Sequence, residues 1–146
     1  MMEFRKIDNT DYDSCAIALI AAFNHEPWNE NWTYEQAFTR IDEMMSGRVS
    51  RGYIALDREV VVGMLIGRIM TYLGWKEVFI DEFSVHPAYR GKKIGSDLLD
   101  FAQKQLVQEG ITAFVLNTES DKPAVQFYEK NDFKIKENLV FMAKNF

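Results

Sequence analysis

Residues 79–96 read FIDEFSVHPAYRGKKIGS, and this stretch decides the fold. An apolar strand passes through a basic turn that contains Gly91 and continues directly into an amphipathic helix. The first N–H groups of a helix have no partner within it, and the helix dipole adds partial positive charge there. A loop that ends at such a terminus binds phosphate oxygens, so the stretch predicts a pyrophosphate site.

Composition limits the class of protein. With 146 residues, 47% hydrophobic and 27% charged, the chain is expected to form a single globular domain over residues 1–146. A net charge of -5 argues against nucleic acid as a partner, because phosphate backbones are bound by clustered Lys and Arg.

Targeting and metal signals are also missing from the sequence. The longest apolar run, residues 60–67, is too short to cross a bilayer, and the first residues show no signal-peptide pattern. We therefore expect a cytoplasmic protein with no membrane partner. The single cysteine, Cys15, excludes an internal disulfide framework, and two distant histidines give no metal-ligand spacing, so no metal site is predicted.

The rest of the chain predicts alternating strands and helices. The expected elements are a strand at residues 3–8, a helix from Thr10 through Ala22, a second helix capped by Thr33 and Gln36 and ended by Gly47, a hairpin of residues 53–57 and 59–73 turning at Asp57-Arg58, a strand at 76–85, a helix at about 92–109, a short strand at 111–117, a helix at 122–130, and a final strand or hairpin at 133–143.

A second motif, NTESDKPAVQFYEKNDF, lies at residues 117–133. It is similar to the Asn-x-x-Ala-x-x-Phe-Tyr-x-x-x-Gly-Phe element of the GNAT superfamily of acetyl-CoA-dependent N-acetyltransferases. Residues 85–96, VHPAYRGKKIGS, resemble that superfamily's Arg/Gln-x-x-Gly-x-Gly/Ala element. The resemblance implies an α/β (α+β) GNAT fold, with a mixed central sheet of six to seven strands that is splayed between strands four and five and flanked by about four helices.

The resemblance also implies acetyl-CoA as the cofactor. The residues expected to hold it are Phe83, Ser84, Val85, Arg90, Gly91, Lys92, Lys93, Ile94, Gly95, Ser96, Asn117, Asp121, Ala124 and Tyr128. Lys93 replaces the usual middle glycine, so its side chain must point away from the pyrophosphate or meet it with its ammonium. Asp121 replaces the usual Asn; as the expected N-cap of the Tyr128 helix it accepts a backbone N–H but cannot donate an amide to pantetheine. Residues 131–132, Asn-Asp, replace the glycine before Phe133 and tolerate a left-handed conformation.

Acetyl transfer needs an oxyanion site, a proton donor for the leaving thiolate and a group that deprotonates the amine. By family resemblance, backbone N–H groups of residues 83–85 stabilise the oxyanion and Tyr128 is the general acid, although a purely structural core tyrosine is the alternative. Asp81 and Glu82 interrupt an apolar strand. Successive residues face opposite sides of a sheet, so only one faces the acceptor cleft unless a bulge re-aims the other. Resemblance to aminoglycoside-type members favours Asp81 first and Glu82 second.

The acceptor is expected to contact residues 23–33, where acids alternate with tryptophans. Trp28, Glu30 and Trp32, with Asp81, are the predicted substrate-binding residues, since charge and cation–π contacts suit a cationic amine. The pattern resembles a loop of some aminoglycoside 6'-N-acetyltransferases, which would imply a role in antibiotic resistance. The alternative, that both tryptophans pack the loop onto the helices, is equally open at this point.

The sequence therefore predicts an N-acetyltransferase for a small cationic amine, such as an aminoglycoside or polyamine, that works through a direct ternary complex. Two alternatives stay open: acetylation of a protein lysine or N-terminal amine, and a non-catalytic acyl-CoA-binding sensor. A homodimer is possible because a C-terminal strand provides an edge with which a second copy can pair.

Overall fold

The computed structural model describes residues 2–146. In chain order its elements are β1 (Met2–Lys6), α1 (Tyr12–Phe23), α2 (Tyr34–Met45), β2 (Ser50–Asp57), β3 (Val60–Thr71), β4 (Lys76–Val85), α3 (Ile94–Val107), β5 (Ala113–Val115) and α4 (Ala124–Lys130), with short 3-10 turns at Asn9–Asp11 and Pro87–Tyr89.

The strands form one mixed sheet in the order β1-β2-β3-β4-β5. Neighbouring strands are antiparallel except β4 and β5, which are parallel. One core cluster joins the sheet to α1 and α2, and a second joins it to α3, so the helices cover opposite faces. The mixed α/β fold expected from the sequence is confirmed.

The expected number of strands was too high. The described residues form five strands rather than six or seven. Residues 133–143 were predicted as a final strand or hairpin, but residues 134–146 belong to no helix or strand, and all of them are exposed. A strand is specified by the partner whose backbone it binds, and among the described residues none pairs with this segment.

Local sequence signals predicted the start of the second helix correctly and the N-cap of the fourth incorrectly. The backbone N–H of Gln36 donates to Thr33 Oγ1 at 3.2 Å, and that of Thr33 donates to Gln36 Oε1 at 3.0 Å, so the predicted capping box is present. The fourth helix starts at Ala124 with Pro123 at its N-cap. The expectation that Asp121 caps it was therefore wrong. Asp132 does adopt the left-handed conformation, with φ of 69°.

Candidate active site

A cleft opens where β4 and β5 separate. β5 pairs only with residues 77–79 of β4. Beyond that point a cavity of about 780 Å³ is lined by residues 80–85 of β4, by the turn before α3, by residues 116–118, by α4 and by the α1–α2 loop. The splay between strands four and five that the sequence implied is confirmed.

Backbone donors point into this cleft. The N–H of His86 donates to Val62 O on β3 at 2.7 Å. Successive N–H groups along a strand point in opposite directions, so those of Phe83 and Val85 point away from β3 and toward the gap left by β5.

A β-bulge at Asp81 decides which way the two acids face. Ile66 of β3 pairs with Glu82, and the next residue, Gly67, pairs with Ile80, so Asp81 has no counterpart. Ile80 belongs to the core cluster under α3, whereas Ile66, opposite Glu82, belongs to the cluster under α1 and α2. The extra residue thus turns Glu82 onto the α2 side of the sheet.

Glu82 is a buried carboxylate held by an arginine from α2. Its side chain is 8% exposed, and Oε2 accepts a hydrogen bond from Arg40 Nε at 2.8 Å. Arg40 Nη2 also donates to Asp81 O at 3.1 Å. Burial raises the pKa of Glu82, and the nearby Arg40 charge opposes that rise.

Asp81 has a different environment. Its carboxylate accepts from Arg68 Nε of β3 at 3.2 Å, and it is 19% exposed. Arg68 also lies over the Phe79 ring, 4.8 Å from its centroid. Both acids line the cleft, but only Glu82 is buried in it.

Tyr128 lies within the same cleft and packs in an aromatic cluster. Its ring lies 6.0 Å from that of Phe83 and 5.2 Å from that of Phe133. Burial, and then the charge of Glu82, raise the pKa of Tyr128, so its hydroxyl stays protonated at neutral pH. Tyr128 is therefore a packed side chain that also lines the cleft, and its role as general acid stays a prediction.

The turn before α3 fits a diphosphate. Gly91 and Lys93 have φ of 77° and 64°, and Lys93 is the N-cap of α3 without a side-chain hydrogen bond to the helix. The N–H groups of the first turn of α3 are thus left without a capping side chain, and the residues of this turn line the cleft. Lys92 instead lies over the Tyr89 ring, 5.4 Å from its centroid.

The side chain of Arg90 extends from the turn before α3 to the backbone of a neighbouring segment. Its Nη1 donates to Glu26 O at 2.6 Å and its Nη2 to Ala22 O at 3.1 Å, at the end of α1 and in the α1–α2 loop. Burial lowers the pKa of Arg90. The turn is thereby fastened to the loop that was expected to hold the acceptor.

The α1–α2 loop is internally braced. The side chain of Asn24 binds the backbone of Trp32 through both its oxygen and its nitrogen, at 2.8 and 3.0 Å. Trp32 packs against the first core cluster, and its Nε1 donates to Glu30 Oε1 at 2.7 Å. Trp28 packs on Phe23 with ring centroids 5.7 Å apart, and Lys122 Nζ lies 5.7 Å from the Trp28 centroid. The tryptophans therefore pack the loop and also line the cleft.

Most predicted site residues meet in this cleft. Lys92 and Asp121 do not line it; the residues that do are Trp28, Glu30, Trp32, Asp81, Glu82, Phe83, Ser84, Val85, Arg90, Gly91, Lys93, Ile94, Gly95, Ser96, Asn117, Ala124 and Tyr128. The sequence analysis did not identify Arg40, because its partner, Glu82, lies 42 residues away in the chain and no residue next to Arg40 indicates the contact.

The environment of Cys15 bears on the mechanism. Cys15 is fully buried, and burial raises its pKa to about 12, so its thiol is a poor nucleophile.

Across residues 2–146, no helix has both the length and the apolar character needed to cross a membrane.

Comparison with known proteins adds family and fold. A model of the acetyltransferase (GNAT) family matches residues 10–133. An acetyltransferase of Sodalis glossinidius (strain morsitans) is 28% identical over 85 residues, which make up 58% of this chain and 60% of that relative. The match therefore spans less than two thirds of the relative's length.

Solved structures resemble the whole chain. A transcriptional regulator from Bacillus halodurans C-125 superposes with a TM-score of 0.79 at 24% identity, covering 99% of this chain and 100% of that one. The aminoglycoside N-acetyltransferase AAC(6')-Iy in complex with CoA gives 0.78 at 17% identity, covering 99% and 95%. An aminoglycoside acetyltransferase from an uncultured soil metagenomic sample, in complex with sisomicin, gives 0.77 at 14%, covering 99% and 96%. At these identities the likeness establishes the fold.

Proposed function

The chain belongs to the acetyltransferase (GNAT) family, and we propose that it transfers acetyl from acetyl-CoA to a primary amine of a small cationic molecule in one direct step. One observation carries this: the buried carboxylate of Glu82 shares a cleft with the uncapped N-terminus of α3. The first suits a cationic amine and the second suits a diphosphate.

The cofactor end of the cleft is formed by the turn and α4. When bound, acetyl-CoA supplies the acetyl thioester. Its diphosphate would be held by N–H groups of residues 91–96, with the ammonium of Lys93 adding charge. Asn117 and Ala124, which line the cleft, would contact the rest of the cofactor.

Glu82 is the proposed general base, at Oε1 or Oε2. A desolvated carboxylate binds a proton more strongly than one in water, so it is better matched to an amine. Asp81 and Glu30 draw the acceptor cation into the cleft by charge. This reverses the order of the two acids that the sequence favoured, and the reason is the burial of Glu82 behind Arg40.

Groups on β4 and α4 carry out the two remaining tasks, which are to stabilise the oxyanion and to protonate the leaving sulfur. The N–H groups of Phe83 and Val85 donate to the negative charge that develops on an oxygen placed in the gap, and one such fixed donor lowers a barrier by roughly 3 kcal/mol. The hydroxyl of Tyr128 donates its proton to the leaving sulfur, since a protonated phenol is available at neutral pH.

A small acceptor is favoured over a peptide because the α1–α2 loop, which lines the cleft, is bound to two neighbouring segments. Arg90 holds it from the turn before α3, and Lys122 meets Trp28 from the segment before α4. Aminoglycosides are the substrates named for two structural neighbours, which supports a polycationic acceptor of that kind or a polyamine. The sensor alternative draws on the neighbour described as a transcriptional regulator.

A free-thiol release assay tests the proposal over aminoglycosides, polyamines, amino acids and peptides. We expect turnover with polycationic small amines, and a loss of kcat of about 100-fold or more in Glu82→Gln and in Tyr128→Phe. Glu59→Gln is the matched control, because Glu59 is an exposed carboxylate in the β2–β3 turn.

Three results would contradict the proposal in different ways. Turnover of peptides alone would favour a protein acetyltransferase. Calorimetric binding of CoA without turnover of any amine would favour a sensor. Full activity in Glu82→Gln with a loss in Asp81→Asn would restore Asp81 as the base.

A further inference from the structure

Asp81, one of the two acids in the cleft, is held by an arginine that lies outside it. Arg68 Nε donates to Asp81 Oδ2 at 3.2 Å and to Oδ1 at 3.3 Å. Asp81 lines the cleft, whereas Arg68 does not. The ion pair therefore crosses the edge of the cleft, and the chain's own arginine occupies a carboxylate that is open to the acceptor.

The guanidinium of Arg68 lies where a bound cation would lie. Its Cζ is 4.8 Å from the centroid of the Phe79 ring, within the distance at which an aromatic face attracts a cation. A carboxylate and an aromatic ring are two groups that bind ammonium and guanidinium ligands. The chain thus fills a complete cation site with one of its own side chains.

The contacts of Arg68 are weak enough for this cation to be exchanged. Arg68 is 44% exposed and Asp81 is 19% exposed, and ion pairs open to water contribute little because solvent competes for both charges. A further contact, from Arg68 Nη1 to Met70 Sδ at 3.4 Å, ends on a weak acceptor. Arg40 differs, because it binds a carboxylate that is only 8% exposed and also a backbone carbonyl. Arg68 is therefore the arginine that can leave its acid.

We infer that Asp81 and Phe79 form a second cation site at the acceptor end of the cleft, that Arg68 occupies it in the free enzyme, and that a second ammonium group of the acceptor replaces Arg68 there. The inference rests on the proposed function, in which Glu82 receives the amine that reacts. It adds that the acceptor carries two positive charges and that Arg68 sets how strongly the second charge is selected. Exchange of one cation for another never leaves Asp81 without a partner, so the step avoids the cost of an unpaired carboxylate.

The bulge in β4 places the two acids so that one small molecule can span them. Asp81 and Glu82 are consecutive, so their Cα atoms are about 3.8 Å apart. The extra residue leaves Asp81 beside Arg68 of β3, while Glu82 turns toward Arg40 of α2. The two carboxylates thus bind different arginines from adjacent positions. A diamine with a short carbon chain fits this arrangement, with one nitrogen at Glu82 and the other at Asp81.

Steady-state kinetics with two amines of equal chain length test the inference. 1,4-Diaminobutane carries two ammonium groups, and pentylamine has a methyl group in place of the second. The measured quantity is the KM of pentylamine divided by the KM of the diamine. We expect this ratio to exceed one in the parent enzyme and to rise about 3-fold or more in Arg68→Gln, because the competing cation is gone and an exposed ion pair opposes the substrate only weakly. The effect is expected in KM rather than in kcat, because the reacting nitrogen lies at Glu82.

The sign of the change separates exchange from a structural role. If Arg68 only held Asp81 in place, Arg68→Gln would lower the ratio, and that result would overturn the inference. Arg68→Lys keeps a competing cation, so its ratio should stay near that of the parent enzyme. Asp81→Asn should remove the preference for the diamine, and a preference that survives would also overturn the inference.

Arg58→Gln is the matched control, because Arg58 is an exposed arginine in the β2–β3 turn, at the other end of β3. It removes the same charge as Arg68→Gln and should leave the ratio unchanged. An equal rise in Arg58→Gln would show a general effect of net charge and would overturn the inference.

Nuclear magnetic resonance of the parent protein gives a readout that needs no turnover. The side-chain Nε–H signal of Arg68 in nitrogen-15 spectra is assigned by its absence in Arg68→Gln. With the unreactive analogue desulfo-CoA present, 1,4-diaminobutane should shift this signal and speed its exchange with water, and pentylamine should not. A signal that the diamine leaves unchanged would overturn the inference. A displaced Arg68 signal without turnover of any amine would contradict the proposed function while supporting the second cation site.

Discussion

Arg40 and burial act in opposite directions on Glu82. Burial favours the protonated form of this carboxyl, and the guanidinium 2.8 Å away favours the ionised form. Arg40 is itself 39% exposed, so its guanidinium keeps contact with water while its Nε binds Glu82. The charge of the proposed base therefore depends on the balance between its burial and one arginine on a different element.

Arg40→Gln is expected to raise the pKa of Glu82 further and move the acidic limb of kcat/KM to higher pH. Activity requires the carboxylate, so it falls as the pH drops through the pKa of Glu82, which already lies above the ordinary 4.5. At alkaline pH the variant should approach the parent enzyme. Arg48→Gln, an exposed arginine after α2, serves as the control for pH–rate profiles. An unshifted limb in Arg40→Gln would contradict the role.

The same shift has a consequence for stability. A carboxyl whose folded-state pKa is raised binds more protons in the folded than in the unfolded state, so stability is highest below the unfolded pKa and falls as pH rises through the folded value. Arg40→Gln should extend that fall to higher pH in urea unfolding.

Sequence reasoning found the residues that lie in motifs and missed the one that does not. Tyr128 and the Asp81-Glu82 pair were identified because each breaks or completes a local pattern. Arg40 lies on α2, and its contact with Glu82 exists only once α2 packs over β4. No local property of residues 37–43 carries that information.

At the scale of elements, the bulge in β4 depends on a glycine in β3. A Cβ at Gly67 would lie 2.6 Å from Phe79 O and 2.6 Å from Val78 Cγ1, which is closer than packed atoms tolerate. The sequence analysis left open a bulge that re-aims either acid, and the position of the bulge follows only from the register between two strands.

Gly67→Ala is expected to destabilise the protein by about 1–3 kcal/mol, since the added methyl group must displace backbone. It should also lower kcat, because Glu82 leaves its position. Gly63→Ala on the same strand is the control: its Cβ would meet neighbours at 3.5 Å, an ordinary contact. Urea unfolding of both variants measures the difference, and equal costs would contradict the packing account.

Lys93→Gly is expected to stabilise the protein by about 1 kcal/mol, because Lys93 holds a left-handed conformation that suits glycine. If its ammonium meets the diphosphate, CoA binding should weaken and become less sensitive to salt in calorimetry. Lys92→Gly, at the neighbouring position without a positive φ, should not stabilise. A loss of stability in Lys93→Gly would show that its side chain is held by contacts that outweigh the strain.

All four expected helices are present, whereas one expected strand is much shorter and another is not formed, for a physical reason. The capping box of Thr33 and Gln36 is a property of four consecutive residues, so it is visible in the sequence. β5 has three residues where seven were expected, and the apolar run at residues 139–143 has no strand partner among residues 2–146. The length of a strand depends on the neighbouring strand with which it pairs, and no local signal in the sequence specifies that neighbour.

At the scale of the whole molecule, hydrogen bonds connect the cofactor end of the cleft to the acceptor end. Arg90, in the turn proposed to meet the cofactor, donates one hydrogen bond to Glu26 O in the α1–α2 loop, which is proposed to meet the acceptor, and a second to Ala22 O at the end of α1. A ligand that orders one end therefore lowers the cost of ordering the other, which is a coupling free energy.

We expect CoA to increase the affinity of the parent enzyme for its amine about 5-fold or more, within the range common for linked sites. The measurement is calorimetric titration of the amine with and without desulfo-CoA, which cannot react. Arg90→Lys keeps the positive charge but loses the forked pair of donors, so it should remove most of the coupling while each ligand alone still binds.

Lys92→Arg is the control for this experiment, because Lys92 belongs to the same turn but contacts Tyr89 rather than the loop. It should leave the coupling unchanged. Coupling that persists in Arg90→Lys would mean that the loop is held chiefly from the other side, where Lys122 meets Trp28. Lys122→Met would then remove the coupling, because the apolar side chain retains bulk over the ring without the cation.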